Sequence, residues 1–428
     1  MYLSAGLILG LMVIVYIIAL KFKLSTELAM LAAALGGAMA AGHWFPVRHI
    51  AEGSITYMDI NLIFISATLF MNILKESGGV AFAVRGIIKR FHKSRVILLL
   101  LLTFLLLIPG ALTGAGSVTV LITGGMVAVV LSYMGIKRIK VAAIIFLVAG
   151  LSAAAPPVSL WAMMTAAGVN MPYVGFFWPL LIPCVLLAIT TIFILGWRGT
   201  DIDVERAFGE LPQPPDKMNW WRIIIPFIAF FALILMGRKW PHDTPVVGLP
   251  LMFMIAALLA WALSPKKLQI LKISTDTIKQ LLPLIGTLTC VGILVQIMTL
   301  TGVRGLLAIT FITLPTVLVI AGLFIFLPIT ESVLMYGSAA VFGVPLVLLF
   351  NSIGLDPIIS LAGMSIIWPL GDALPPTAII GRLTVNVVGP KESYKEFLKK
   401  CIVPAILICI VGTLMVVFSG DLGFLSGL

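Results

Sequence analysis

Apolar stretches of close to twenty residues recur from one end of this chain to the other, and a helix of about that length crosses the hydrocarbon core of a bilayer. Lipid offers a backbone amide no hydrogen-bond partner, so each such segment must satisfy its own amides. The alternation of apolar and polar residues that marks the strand of a membrane barrel is absent. The chain is therefore expected to be an all-α integral membrane protein. Composition agrees, with 61% hydrophobic and 11% charged residues, where a soluble domain carries roughly 25% charged residues. The sequence opens in an apolar helix with no basic leader or cleavage site, so 2–20 reads as a retained span.

Several functions drop out on this reading. The net charge of +11 is better explained by basic residues flanking spans on the cytoplasmic side than by nucleic acid. Cys184, Cys290, Cys401 and Cys409 lie in apolar segments without metal-ligand spacing, which points to packing. His43, His49, His92 and His242 sit in polar connections and form no His-x-x-x-His pair. No G-x-x-x-x-G-K-[ST] loop is present, so no nucleotide-driven motor is evident. Nor does a nucleophile, base and orienting acid stand out. The expectation is a transporter, not an enzyme, with no cofactor.

The chain is also duplicated. Shifted by 219 residues, Pro109 falls on Pro328, Gly124 on Gly343, Gly135 on Gly354, and Pro156-Pro157 on Pro375-Pro376. Self-similarity at a fixed offset marks a repeated structural unit. One long polar stretch, 198–222, holds Asp201, Asp203, Glu205 and the Pro212-Gln-Pro-Pro run. This divides the chain into a first repeat over 1–200, a cytoplasmic linker over 201–221 and a second repeat over 222–428. The first repeat parses into spans over 2–20, 25–43 and 59–75, a basic amphipathic helix for the membrane interface over 80–95, and a hairpin over 96–132. A helix over 141–168, broken at Pro156-Pro157, and a last span over 173–197 complete it. The second repeat has its hairpin over 314–352 and its broken helix over 358–385.

About thirteen residues precede Pro109 in the first hairpin limb, short of the twenty or so that a span needs, so the hairpin is expected to be re-entrant. Each half then crosses the bilayer an odd number of times, which inverts the second against the first. Two inverted-topology repeats place all but four of the 28 Lys and Arg residues on one side, the exceptions being Arg48, Arg238, Lys239 and Arg304. That side is expected to be the cytoplasm, with both termini periplasmic.

Irregular backbone at membrane depth survives only inside protein or against a wet cavity, and broken helices in inverted repeats mark substrate and ion sites. The first tip offers Thr113, Gly114, Gly116, Ser117 and Thr119, and its break offers Ser152 and Ser159 around Pro156 and Pro157. Carbonyls freed by proline, together with hydroxyls, suit a dehydrated Na+, and helix N-termini suit an anion. Against this stands the simpler reading that small residues let helices approach closely. The second half adds charge. Glu331, between Thr330 and Ser332, replaces Leu112 of the first half, Asp372 replaces Ala153, and Arg382 replaces Met163. Ionisable residues at membrane depth are costly and are functional candidates by default. Glu331 and Asp372 are expected to carry the coupling ion, Na+ or a proton. Arg382 is expected to meet a substrate carboxylate through its planar fork; an ion pair with Asp372 or Glu331, or snorkelling to the surface, are the alternatives. Lys75-Glu76 reads as an exposed or locally paired surface site.

Four segments resemble a known family: Gly110-Ala-Leu-Thr-Gly-Ala-Gly-Ser-Val, Ala154-Ala-Pro-Pro-Val-Ser, Gly354-Leu-Asp-Pro-Ile and Leu374-Pro-Pro-Thr-Ala-Ile-Ile-Gly. In order and spacing they look like the large membrane subunit of tripartite ATP-independent periplasmic (TRAP) transporters of the bacterial inner membrane. The resemblance implies a scaffold domain, a mobile transport domain and Na+-driven uptake by an elevator-type movement. It implies a small membrane subunit and a periplasmic binding protein as partners, and carboxylate substrates such as C4-dicarboxylates and sialic acids. It would put Na+ at the first tip with its break, near Thr113, Ser117 and Ser152, and at the second, near Glu331, Ser332 and Asp372. Gly337 and Ser338 of the second tip, with Pro375, Pro376 and Thr377 of its break, would complete that site. The chain departs from the family pattern at Glu331, Asp372 and Arg382, which opens the coupling ion to protons and leaves a stand-alone carboxylate carrier as the rival.

Overall fold

The computed structural model describes residues 2–199, 202–240 and 247–427; Asp201, His242 and the side chain of Arg238 lie outside the described residues. Among the described residues the secondary structure is helical throughout, and nine helices are long and apolar enough to cross a membrane.

The first half runs α1 (Tyr2–Lys21), α2 (Thr26–Ala40), α3 (Val47–Ile55), α4 (Met58–Glu76) and α5 (Gly79–Phe91). A hairpin follows, α6 (Arg95–Thr113) with α7 (Gly116–Thr119) and α8 (Gly125–Tyr133), then α9 (Arg138–Ala154), α10 (Leu160–Gly168) and α11 (Phe177–Gly196). A short helix, α12 (Val204–Glu210), forms within the linker. The second half runs α13 (Trp220–Lys239), α14 (Leu249–Ala262), a continuous α15 (Ile270–Leu300) where the first half has α3 and α4, and α16 (Val303–Thr313). Its hairpin is α17 (Thr316–Leu334) with α18 (Val344–Ser352), followed by α19 (Pro357–Ile367), α20 (Ile379–Val388), α21 (Tyr394–Val417) and a last turn, α22 (Phe424–Gly427).

The 219-residue register extends to fine structure. Both hairpins carry a π-turn in the returning limb, Val120–Gly124 and Ala339–Gly343, at that offset. Arg138 opens α9 where Pro357 opens α19, and the 3-10 segment Trp368–Ala373 ends where α9 ends. Contacts between the halves are exchanged in pairs: α2 packs on α15 as α14 packs on α4, and α10 packs on the second π-turn as α20 packs on the first. Such reciprocity is what a pseudo-two-fold relation between two copies produces.

Burial follows the apolar pattern. In α9 every residue from Val141 to Ala154 is buried, and in α19 every residue from Ile359 to Ile367; a helix apolar on all sides must lie inside. These two form the centre, with Phe146 of α9 meeting Phe397 of α21 edge-on at 5.7 Å. Chains approach closely where glycines remove the side chain: a Cβ on Gly363 would lie 2.5 Å from the Gly412 carbonyl oxygen. The amphipathic helix α5 buries Val80, Val84 and Ile88 and points Lys89 and Arg90 outward, as its pattern requires.

The first hairpin limb runs past its proline. The helix does not stop at Pro109 but continues to Thr113, a 19-residue limb of about 28 Å. Proline costs one hydrogen bond and crowds the preceding turn, yet helices in membranes tolerate it when neighbours supply partners. Limb length therefore gives no ground for calling the hairpin re-entrant.

The linker is fastened to α5. The Arg85 guanidinium donates to the carbonyls of Phe208 at 2.7 Å, Leu211 at 2.6 Å and Pro212 at 2.9 Å. It also lies over the Phe208 ring at 5.1 Å. Arg85→Ala removes every one of these contacts at once. The expected result is at least tenfold faster cleavage within 202–215 by a soluble protease, with the transmembrane core unaffected, read by gel and mass spectrometry.

Candidate functional site

Each hairpin tip docks on the break that follows it. In the first half Gly114 takes a left-handed conformation (φ +68°) that lets α6 end and the chain reverse. Val158 of the break donates its N–H to the Ala111 carbonyl at 3.1 Å. The approach is so close at Gly110 that an added Cβ would fall 1.9 Å from Ser152 Oγ. Hydroxyls of this tip are mutually engaged. Thr119 Oγ1 and Ser152 Oγ share a hydrogen bond of 2.9 Å, Ser152 Oγ donates to Ala149 O at 2.7 Å, and Thr113 Oγ1 donates to Pro109 O at 2.7 Å. Ser117 is half-buried, while Gly116 is pressed against the Ala149 carbonyl. Pro156 is buried and Pro157 half-buried; Ser159 is buried with its Oγ unpartnered and its N–H donated to Tyr173 OH at 3.2 Å.

The second tip is built alike and charged differently. Here the close approach is made by a glycine on the break: a Cβ on Gly371 would lie 2.3 Å from Pro328 O and 2.5 Å from Glu331 Cβ. That contact seats Asp372 beside the tip. Thr377 completes the docking, its N–H and Oγ1 both donating to Ser332 O, at 3.3 and 2.9 Å. The hydroxyls of Thr330 and Ser332 are spent on their own helix, on Leu327 O and Ile329 O. Gly337 packs against Val291 of α15. Two residues with side chains hold left-handed backbone here, Met335 (φ +54°) and Ala378 (φ +46°). Such conformations cost about 1–3 kcal/mol and cluster at functional sites.

Glu331 is fully buried and Asp372 is 2% exposed. Glu331 Oε2 accepts a hydrogen bond from Ser338 Oγ, whereas Glu331 Oε1 and Asp372 Oδ2 have no partner. Each carboxyl group lies within electrostatic reach of the other. Among the described residues the ion pairs are Arg48–Glu52, Arg206–Asp203 and Lys399–Glu396, so no Lys, Arg or His neutralises the acids. Burying an unpaired carboxylate is strongly unfavourable, and the arrangement invites a small cation.

Arg382 takes no part in that neutralisation. It sits exposed on α20 and forms no ion pair with Asp372 or Glu331, which removes the structural alternative raised for it. Pro375 and Pro376 are likewise exposed, unlike the first break.

Other members of the site escaped the sequence reading. Trp161 of α10 reaches across from the first half, its ring 5.1 Å from Tyr336 and its Nε1 turned toward Glu331 but outside hydrogen-bonding geometry. Trp368 is fully buried with Nε1 unpartnered, its indole beside Gly343 of the second π-turn. Thr165 Oγ1 donates to the Ala339 carbonyl at 3.0 Å, tying α10 to that π-turn. The available signal was a tryptophan in each broken helix, where interior packing of apolar helices normally avoids an indole N–H that needs a partner. Lys75 is also more than a surface residue: half-buried, it donates from Nζ to Leu121 O of the first π-turn at 2.9 Å, while Glu76 is exposed.

No family model matches the chain. No curated protein matches it. Among solved structures it is similar to the YdaH transporter of Alcanivorax borkumensis, whose crystal structure is described as revealing an unusual topology. The TM-score is 0.64 at 12% identity, over 91% of this chain and 90% of that one. The likeness is one of fold: this chain has the fold of a membrane transporter.

Proposed function

We propose that the chain is a secondary active transporter that couples inward movement of Na+ or protons to uptake of an organic anion, a carboxylate or dicarboxylate in character. The observation that carries this reading is the Glu331–Asp372 pair, buried without a cationic partner among the described residues where a hairpin tip meets a helix break. A site of this kind binds a cation favourably in one exposure and releases it in another, which is what coupling requires. The exchanged contacts between the halves support two inverted-topology repeats, and a tip docked on its break as a unit supports an elevator-type movement. The positive-inside rule supports a bacterial inner-membrane protein with both termini periplasmic.

Arg382 supplies the cation for the substrate carboxylate; exposed and free of ion pairs, it can meet an anion arriving from solvent. Arg382→Lys keeps the charge but loses the fork, and a severalfold rise in apparent KM for uptake is expected. An unchanged KM would return Arg382 to a surface role.

The order and spacing of the four motifs favour a TRAP-type large subunit, working with a small membrane subunit and a periplasmic binding protein. The departures from that pattern at Glu331, Asp372 and Arg382 favour a second reading in which one chain suffices as a carrier. Uptake of labelled organic acids into proteoliposomes separates them, with an imposed Na+ gradient in one arm and a proton gradient in the other. Uptake by the chain alone supports the stand-alone carrier. Uptake only after adding a small subunit and binding protein supports the tripartite form, and none under any condition sinks the transport reading.

A further inference from the structure

We infer that the two tips have parted roles, and that the protein holds one monovalent cation per chain, at the second tip alone. This deepens the transport reading and rests on it.

The backbone is repeated but the polar inventory is not. At the first tip the hydroxyls of Thr113, Thr119 and Ser152 bond one another and local carbonyls at 2.7–2.9 Å, and no charged group stands among them. The π-turn there widens the helix and bares carbonyl oxygens that an α-ladder would cover. One of them, Leu121 O, already takes a positive charge from the Lys75 ammonium at 2.9 Å. Of the buried hydroxyls of this tip and break only Ser159 Oγ lacks a partner among the described residues, and Ser117 is half-buried; neither brings charge. The first site therefore offers a cation no negative charge and already holds the Lys75 ammonium.

Position by position, the second tip is open. The counterpart of Lys75 is Leu294, which brings no charge to the second π-turn. Gly371 stands where Ser152 stands, so Ser338, the counterpart of Thr119, has no hydroxyl across from it and turns to Glu331. Glu331 and Asp372 occupy the positions of Leu112 and Ala153. Both carboxyl groups are left with an unpartnered oxygen, Oε1 and Oδ2, at full burial. The Trp161 indole N–H, fully buried and unpartnered, is turned toward Glu331. Ser338 already donates to the Glu331 carboxylate, and the Trp161 N–H faces it without a hydrogen bond. What the site lacks is positive charge, and the oxygens that remain suit one small cation, Na+ or a proton.

The test reads stoichiometry on the detergent-purified full chain, without transport. Binding of radiolabelled Na+ is measured at saturation, and proton uptake is measured in Na+-free solution as the difference between wild type and the Glu331→Gln/Asp372→Asn double variant. The expected result is one cation per chain in one arm or the other, or one proton released for each Na+ bound. The Na+ signal, where present, disappears in Glu331→Gln and in Asp372→Asn and persists in Thr119→Ala and Ser152→Ala. Two Na+ per chain, no cation in either arm, or a site lost with Thr119→Ala and kept in Glu331→Gln would overturn the inference. Gradient-driven uptake accompanied by two bound Na+ would sink this inference and leave the transport reading standing. A single bound cation whose gradient drives no uptake would do the reverse.

Discussion

Glu331→Gln is expected to lower the initial rate of gradient-driven uptake in proteoliposomes by at least tenfold while the protein still inserts and elutes as a single species. Glutamine preserves the volume of the side chain and an acceptor for Ser338 Oγ, so the tip keeps its shape. The variant loses a charge beside Asp372 that no Lys or Arg among the described residues neutralises. A charged side chain near the bilayer centre costs at least about 2.5 kcal/mol even by the mildest scales. Removing it therefore leaves thermal stability unchanged or raised, the usual trade where an active site carries strain. Asp372→Asn should behave in the same way. The diagnostic is the dissociation of the two readouts, transport down and melting temperature not down. If uptake and its ion dependence survive both substitutions, the coupling role of these acids is wrong; if melting collapses along with uptake, they are structural.

The largest effect on stability is expected from Gly110→Ala. A Cβ at that position would lie 1.9 Å from Ser152 Oγ, 2.7 Å from Ser152 Cβ and 2.7 Å from Thr119 Oγ1, all within a fully packed junction. Overpacking of a close-packed interior costs typically 1–3 kcal/mol, and this contact belongs at or above the upper end because the nearest atoms sit only one or two bonds from a backbone. The second half makes the same junction with its glycine on the opposite partner, Gly371 on the break against the 328–332 turn of the limb. That reciprocity suggests the rescue. Ser152→Gly in the Gly110→Ala background should restore half or more of the lost stability, as coupled neighbours in a double-mutant cycle do. Purely additive losses would show that limb and break do not meet at these residues.

Much of the architecture could be read without coordinates because membrane segments announce themselves by length and polarity. The duplication was legible because helix breakers are few and strongly placed, and Pro109, Gly124, Gly135 and Pro156-Pro157 find their partners at one offset. The π-turns, the end of α9 and the start of α10 fall on the same offset. The acids were legible too, since Glu331 and Asp372 stand in apolar surroundings where their cost asks for an explanation. Limb length was not. A proline breaks a helix in water, but in a packed membrane bundle the chain runs past Pro109 for another turn.

What no periodicity could give is the company each group keeps. Whether a polar group is free or engaged depends on partners distant in sequence, such as Thr119 with Ser152 or Lys75 with Leu121. Trp161 and Tyr336, from opposite halves, meet only because α10 packs on the second π-turn. Hydrophobicity and breaker spacing are local properties that survive in any fold, and they determined the solvent, the helices, the repeat and the candidate acids. Hydrogen-bond satisfaction is a property of the assembled neighbourhood, and it showed that Glu331 and Asp372 at the second tip each keep a buried oxygen without a partner among the described residues.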